Sequence, residues 1–480
     1  MCQPPSGEAV RGLLGPIITA DTTIQKVEAV SSLGARRTYQ VVLSDGRSLQ
    51  LVLLRRALWR PLRSEQDMVA SEAAAVRWMR ETVGHLEPTE QKKPLPRLSP
   101  SADSDLSTFL LPLLPVLLRQ GQESDRPGSS FAVYDPVKGT PLALLPQPPS
   151  PASQRDIDRQ LGTLFRQLAH LTSPTGRFGP LAAVIGTRGT PSPPSQMGAA
   201  AAVAANMLEG GLWATGGAGT WSMTFHSMLE GVLRDGEDMG IVMGYWTIRK
   251  TFRRLRYILD EVTVARLVVV EGGGMGSVLV QEAAQGDSGK GEKEGGEDAP
   301  ETKDGQDENE RGETSKAKQE AETEETETEA AQKETDTRPR LELSGLRDWS
   351  SCVFGDPLLA TAFSDPQQQP PSTDLLRGFN GKEIEHAPTR TQPIPLDGSI
   401  IESVDTAWIR LLLYQVYHAV VRIVSEFYRP RQDSSARELA ARKELNEALA
   451  RLGEVPDDAN KKHQRPSGEM SPAKRIKAED

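Results

Sequence analysis

The sequence predicts an α+β protein, with an antiparallel pair of strands near the N-terminus and mostly helices further on. Three observations carry this. Two β-rich runs at 37–43 and 48–54 flank the turn Ser44-Asp45-Gly46-Arg47, in which Asp and Gly supply the positive φ angles of a tight hairpin. From Asp156 onward the apolar period becomes helical, with Ile157, Leu161, Leu164, Phe165, Leu168 and Leu171 at spacings of three and four. Short apolar runs at 266–270, 277–281 and 341–346 then bracket a long acidic stretch.

The elements follow in order. After the hairpin, residues 72–81 are rich in strong helix formers, with Ala75, Val76 and Met79 on one side. The polar, proline-bearing stretches 89–104 and 121–130 predict loops around the apolar run 109–118. Residues 131–134 predict a short strand, and 135–140, with Pro136 and Gly139, a connecting turn. A helix over 156–171 is followed by a Pro/Ser/Gly loop at 187–196, an alanine-rich helix at 199–208, and helices at 223–233 and 247–259. Near the C-terminus Trp408, Leu412, Val416, Ala419, Val420, Ile423 and Phe427 form a helical stripe closed by Pro430. Ser435 with Glu438 has capping-box spacing for a last helix through Leu452. Trp213, Trp221 and Trp246 fall among the helices and are expected in the core, and the six histidines show no metal-ligand spacing.

The chain has 480 residues and a formal charge of −10, but the acidity is local. Residues 281–337 hold 20 Asp/Glu against 7 Lys/Arg and no aromatic residue, so the rest of the chain carries +3. Such a stretch cannot bury enough apolar area to offset the entropy of ordering it, which predicts disorder. If the strands on either side pair, it is the loop of a hairpin, a length that closure entropy tolerates. It reads first as a solvated spacer and second as an arm for a basic partner. Two cysteines, Cys2 and Cys352, exclude a disulfide framework or a zinc site. No apolar run approaches the ~18 residues of a membrane span, and residues 1–10 lack the regions of a secretory signal. An intracellular, soluble protein without membrane or nucleic-acid partners is therefore expected. The tail 456–480 carries Lys461-Lys462 and Lys474-Arg475-Ile476-Lys477, which resemble a bipartite nuclear import signal and imply an import receptor as partner; a solvated basic tail is the alternative.

Chemistry points to the run Leu267-Val268-Val269-Val270-Glu271-Gly272-Gly273-Gly274-Met275-Gly276-Ser277. A dinucleotide-binding turn needs a helix after its glycines and an acidic residue about 20 positions on. Here Ser277 replaces the last glycine, and the short stretch that follows runs into the acidic segment. The better reading is a loop between short strands, beside a third strand that exits at Arg347-Asp348-Trp349 and continues to Phe354-Gly355-Asp356-Pro357. An acidic residue at a strand exit beside such a loop is how kinase-like enzymes hold magnesium against ATP phosphates. Asp356, directly before Pro357, reads as a helix or turn cap.

The segment Leu343-Ser344-Gly345-Leu346-Arg347-Asp348-Trp349, with Gly355-Asp356-Pro357, resembles the metal-binding strand and Gly-Asp-Pro of the aminoglycoside phosphotransferase family, its fungal-type branch in particular. The hairpin, the helix with Glu72, the connector 134–139 and the helix leading to Phe178-Gly179 fall in that family's order. The resemblance implies a bilobal, protein-kinase-like fold: an N-terminal extension at 1–25, a small antiparallel β lobe at 26–138, and a larger helical lobe at 139–455 with the acidic insertion 282–338 inside it. It also implies ATP and magnesium as cofactors, and transfer of a phosphoryl group to a hydroxyl of a small molecule. Asp348 then matches the metal-binding aspartate, and Glu72 the glutamate that steadies the nucleotide-binding lysine. That lysine is absent, and Arg55 is placed to substitute. The catalytic loop departs furthest. Gly272 stands where the base aspartate belongs and Ser277 where the second metal ligand belongs, which leaves Glu271, one residue away, as the candidate base. Two functions stand: an ATP-dependent phosphotransferase with a degenerate catalytic loop, and a non-catalytic nucleotide-binding or scaffold protein on the same fold.

Overall fold

The computed structural model describes residues 5–30, 36–54, 61–85, 103–122, 130–186, 216–283, 338–368, 370–384 and 394–456. Arg55, the loop at 187–196, the alanine-rich run 199–208, Trp213, the acidic residues 284–337 and the basic tail from 457 lie outside the described residues.

The predicted hairpin gains partners on both sides. Helix α1 (Gly7–Leu14) is capped by Ser6, whose hydroxyl accepts from Ala9 N, and precedes strands β1 (Ile24–Val30), β2 (Arg36–Leu43) and β3 (Ser48–Leu54). The β2–β3 turn closes with Gly46 at φ +84° and Asp45 accepting from Arg47 N. Helices α2 (Met68–Gly84) and α3 (Asp103–Leu110) and strands β4 (Val116–Gln122) and β5 (Ser130–Asp135) complete the first lobe. Its sheet is antiparallel throughout, in the order β1-β2-β3-β5-β4. Because successive side chains point to opposite faces, Tyr39, Val41, Leu51, Leu53, Phe131 and Val133 bury with Val10 and Leu14 of α1. Val52, Ala132 and Tyr134 instead join the core shared with α2. Arg36 and Thr38, in phase with Val52, are buried on this second face.

The second lobe is mostly helical. Strand β6 (Thr140–Pro141) leads to α4 (Pro151–His170), which starts at Pro151 rather than Asp156 because Ser150 accepts from Ser153 N and Pro151 fills a position that needs no N–H. Then come β7 (Gly179–Pro180), α5 (Leu181–Ile185), α6 (Trp221–Asp238), α7 (Tyr245–Leu259), β8 (Arg266–Val269), β9 (Val278–Glu282), β10 (Leu341–Leu346) and β11 (Cys352–Gly355). Helices α8 (Thr361–Ser364), α9 (Thr373–Asn380), α10 (Ala407–Tyr428) and α11 (Ser434–Gly453) follow. Strands β9 and β10 pair antiparallel from Leu341↔Glu282 to Leu346↔Val278, so the acidic segment joins two paired strands. Strand β6 adds to β9, and β11 pairs with both β7 and β8. Helices α4 and α9 cross so closely that a Cβ on Gly378 would lie 1.9 Å from the Arg159 carbonyl oxygen, which only glycine avoids. Helix α10 is long and apolar enough to cross a membrane, yet 83% of that window is buried against the protein, as in a core helix. The whole is a bilobal α+β fold, a small antiparallel lobe and a larger helical one.

Two expectations are corrected. The capping box at Ser435 and Glu438 does not form: Asp433 occupies the cap position, Ser434 Oγ accepts from Arg431 N, and Glu438 pairs with Arg442 at 2.8 Å. Trp221 is fully buried, but Trp246 is 71% exposed. The buried stripe of α7 runs through Ile248, Phe252, Leu255 and Leu259, and Trp246, two residues before Ile248, lies about 200° round the helix.

The cap at Asp356 does form, inside a buried network. Its Oδ1 accepts from Leu358 N at 3.1 Å, while Oδ2 accepts from Tyr414 OH at 2.8 Å and lies 2.9 Å from Arg410 Nε. Tyr414 OH in turn accepts from Trp221 Nε1 at 2.7 Å. Removing Asp356 strands a buried guanidinium, so Asp356→Ala is expected to cost about 3–5 kcal/mol, against about 1–2 kcal/mol for Tyr414→Phe, which removes only a hydroxyl. Urea unfolding measures both; equal losses would show that stranding the charge costs no more than losing a hydroxyl.

Candidate functional site between the lobes

The centre of the interlobe seam is one guanidinium between two carboxylates. Arg36 opens β2 on the face toward α2 and is 1% exposed. Its Nη1 donates to Glu72 Oε2 at 2.7 Å, and its Nη2 lies 3.1 Å from both Asp348 Oδ2 and the Arg347 carbonyl oxygen. Glu72 Oε1 accepts from Trp349 N at 3.3 Å, and Asp348 Oδ1 from Ser350 N at 2.8 Å. Each oxygen of both carboxylates is therefore engaged. Burial raises the Glu72 pKa and Arg36 opposes it; burial works against the Arg36 charge, but Asp348 and Glu72 together raise its pKa.

The sequence-predicted residues thus meet, but around a different cation. Glu72 and Asp348 come together as expected, and the cation that holds them is Arg36; Arg55, the expected partner of Glu72, lies outside the described residues. Sequence reasoning missed Arg36. The available signal was the hairpin itself: Arg36 pairs with Leu54, in phase with buried Thr38 and Val52, so a charge there needs a buried partner.

Magnesium would have to share Asp348 with the protein: each oxygen of that carboxylate already accepts one protein donor, and Ser277, at the second ligand position, is 5% exposed, with its backbone bonded to Gly274 O and Arg347 N. Among the described residues no group of three or more His, Cys, Asp or Glu side chains is placed to hold a metal ion. Packing enforces one glycine of the loop: a Cβ on Gly273 would meet Ala362 N at 2.2 Å, whereas one on Gly272 would sit in tight contact, 3.1 Å from the Phe165 ring.

Beside this seam opens a cleft of about 1540 Å³, lined from both lobes and carrying Asp348, Glu271, Ser277, Tyr417 and His418. Glu271 is fixed at its backbone by Ser351, whose Oγ accepts from Glu271 N at 3.1 Å. Its side chain reaches water through the cleft, but the surrounding protein and the charges of Asp348 and Asp365 push its carboxyl up to about 7. Burial raises the Tyr417 hydroxyl, and Glu271 adds to that. His418 is buried, pushed down to about 4, and stays neutral with Nε2 donating to the Leu359 carbonyl at 2.8 Å. The cleft therefore offers a carboxyl that exchanges its proton near neutrality beside a phenol. Its walls are braced by Arg429–Glu65 at 2.6 Å and Arg422–Asp365 at 3.0 Å.

Two measurements check this geometry. Arg36→Met leaves two buried carboxylates uncompensated and is expected to cost about 3–5 kcal/mol in urea unfolding; Arg36→Lys should recover only part, because an ammonium cannot fork to both carboxylates and the carbonyl. Full recovery would refute the fork. Glu271 holds its proton more tightly folded than unfolded, so its contribution to stability is complete below about 4.5 and is lost as pH rises toward about 7. Thermal unfolding should therefore favour Glu271→Gln over the parent increasingly from pH 5 to pH 8, and a constant difference would contradict the raised pKa.

Comparison with family models returns no match, and comparison with curated proteins returns none. Among solved structures, the chain aligns with a thermostable mutant of an aminoglycoside phosphotransferase in ternary complex with AMP-PNP and hygromycin B, at 12% identity and TM-score 0.41, over 94% of this chain and 99% of that one. It aligns with a fructosamine-3-kinase candidate from Thermobifida fusca at 12% identity and TM-score 0.43, over 92% and 98%. It aligns with a wild-type aminoglycoside 2′-phosphotransferase in complex with GDP at 11% identity and TM-score 0.41, over 93% and 99%.

Proposed function

We propose that this chain is a kinase-like protein that binds a small molecule in its interlobe cleft without phosphoryl transfer. The observation that carries the reading is the Arg36–Glu72–Asp348 network. In kinase-like enzymes the lysine–glutamate pair and the metal-binding aspartate act on the nucleotide separately. Here one buried guanidinium satisfies both acids, and the loop that would carry the base has glycine at 272. The cleft is larger than the 300–1,000 Å³ typical of small-molecule sites, and Glu271 and Tyr417 are among the polar groups that line it. In this reading the ligand is held by hydrogen bonds to those two groups, and the seam behind them stays closed by its own ions.

A second reading, the phosphotransferase of the family that the sequence resembles, is favoured by one observation. Glu271 titrates near neutrality in the cleft, where a base for an acceptor hydroxyl is most effective. Thermal unfolding of the full chain with ATP, with and without magnesium, separates the two. The first reading expects a melting temperature indifferent to magnesium and to EDTA, with no phosphorylated product by mass spectrometry. Stabilisation that requires magnesium and disappears in Asp348→Asn, together with turnover lost in Glu271→Gln, would replace it with the second.

A further inference from the structure

We propose that the outer face of α7 is a docking surface for the chain's own glutamate-rich segment at 320–329. Helix α7 contains five basic residues and no acidic one. Two of the five are spent inside the lobe. Arg249 pairs with Glu230 at 2.9 Å and Glu237 at 2.7 Å on α6, and Arg254 donates to the carbonyls of Val455 and Leu452 beyond and at the end of α11. Lys250, Arg253 and Arg256 remain exposed and without an acidic partner among the described residues, as does Arg234 on α6. They share one field: Arg253, Arg256 and Arg234 all act on His226, whose ring stacks on Phe252 at 5.0 Å. Exposed Trp246 extends the ridge, with Lys250 Nζ 4.8 Å from its ring centroid.

A row of cations at one face of a helix, ending in an exposed indole, suits a chain of closely spaced carboxylates better than an apolar partner. The protein carries such a chain. Glu320, Glu322, Glu324, Glu325, Glu327 and Glu329 fall within ten residues that hold no basic residue. Glu329 and Glu320 lie 9 and 18 residues before Arg338, so at full extension they reach about 30 and 60 Å from it, against a radius of gyration of roughly 20 Å for a domain of this size. The opposite charges are covalently tethered, so the segment outcompetes a free polyanion until that polyanion reaches the effective concentration of the tether.

Carbodiimide coupling of the full chain tests this, since it joins an amine to a carboxylate only in contact. At low salt a crosslink from Lys250 to the glutamates of 320–329 is expected in the peptide map. It should fall about tenfold at 0.5 M NaCl, where screening shortens to a few ångströms, and likewise in Arg253→Gln/Arg256→Gln. No Lys250 crosslink to this segment at low salt overturns the proposal. Heparin retention supplies the second arm: deletion of 320–329 should raise retention of the full-length protein, and Lys250→Gln/Arg253→Gln/Arg256→Gln should cancel the rise. Equal retention with and without the segment would mean that the face stays open to external polyanions such as RNA, and the proposal fails.

Discussion

The seam between the lobes depends on a guanidinium that serves two acids at once. Arg36 sits on β2, Glu72 on α2 and Asp348 just after β10, so one side chain joins the sheet, the helix packed on it and the strand exit of the other lobe. Two carboxylates buried together repel and would each favour protonation. The planar fork of arginine meets both and a backbone carbonyl without moving. That fixes the rotation of α2: with Glu72 toward the seam, Ala75, Val76 and Met79 point into the core. The further braces, Arg429 to Glu65 and Arg63 to Asp235 and Asp238, hold the segment just before α2 against α6 and α10, and so preserve the same rotation.

The loop after β8 is shaped by that seam and by close packing beneath it. Thr361 N donates to the Val270 carbonyl, and Gly273 N donates to Thr361 Oγ1, which pins the glycine run to the start of α8. With Ala362 backbone against Gly273 no side chain has room there, and Phe165 under Gly272 leaves that position tight. The acid that this loop presents to the cleft is Glu271. Burial by the surrounding protein raises the Glu271 carboxyl toward neutral titration, and the charges of Asp348 and Asp365 add to it.

How far the sequence could be read follows from where its signals are local. The hairpin was legible because Asp45-Gly46 specifies the turn, and β9 with β10 because apolar runs flank a segment that cannot fold into a core. Glu72 and Asp348 were legible as a pair through family order. Arg36 was not: adjacent Arg36 and Arg37 look alike in sequence, and only the pleat decides that the first faces α2 while the second does not. The capping box failed for a similar reason. Ser434, one residue earlier than expected, is bonded to Arg431 N and Glu426, so the entry to α11 is set by contacts with α10 and not by its own sequence. Strand β1, with Gln25, Lys26 and Glu28 among its apolar residues, gives too weak an alternation to stand out before its partner β2 is known.

Charge is the property on which sequence and structure diverge most. A net −10 suggests an acidic surface, yet one face of α7 is basic and without acidic partners among the described residues, and the acidity sits mostly in one segment. Opposite unit charges about 5 Å apart in water attract by about 0.8 kcal/mol, so four cations contribute roughly 3 kcal/mol to a docked segment. A free ligand with that energy would bind more weakly than the 1 mM that corresponds to about −4 kcal/mol. A tether supplies an effective concentration of about that order, so docked and undocked forms lie near balance. In the docking proposed above, such a balance responds to ionic strength and to any change of charge in either partner.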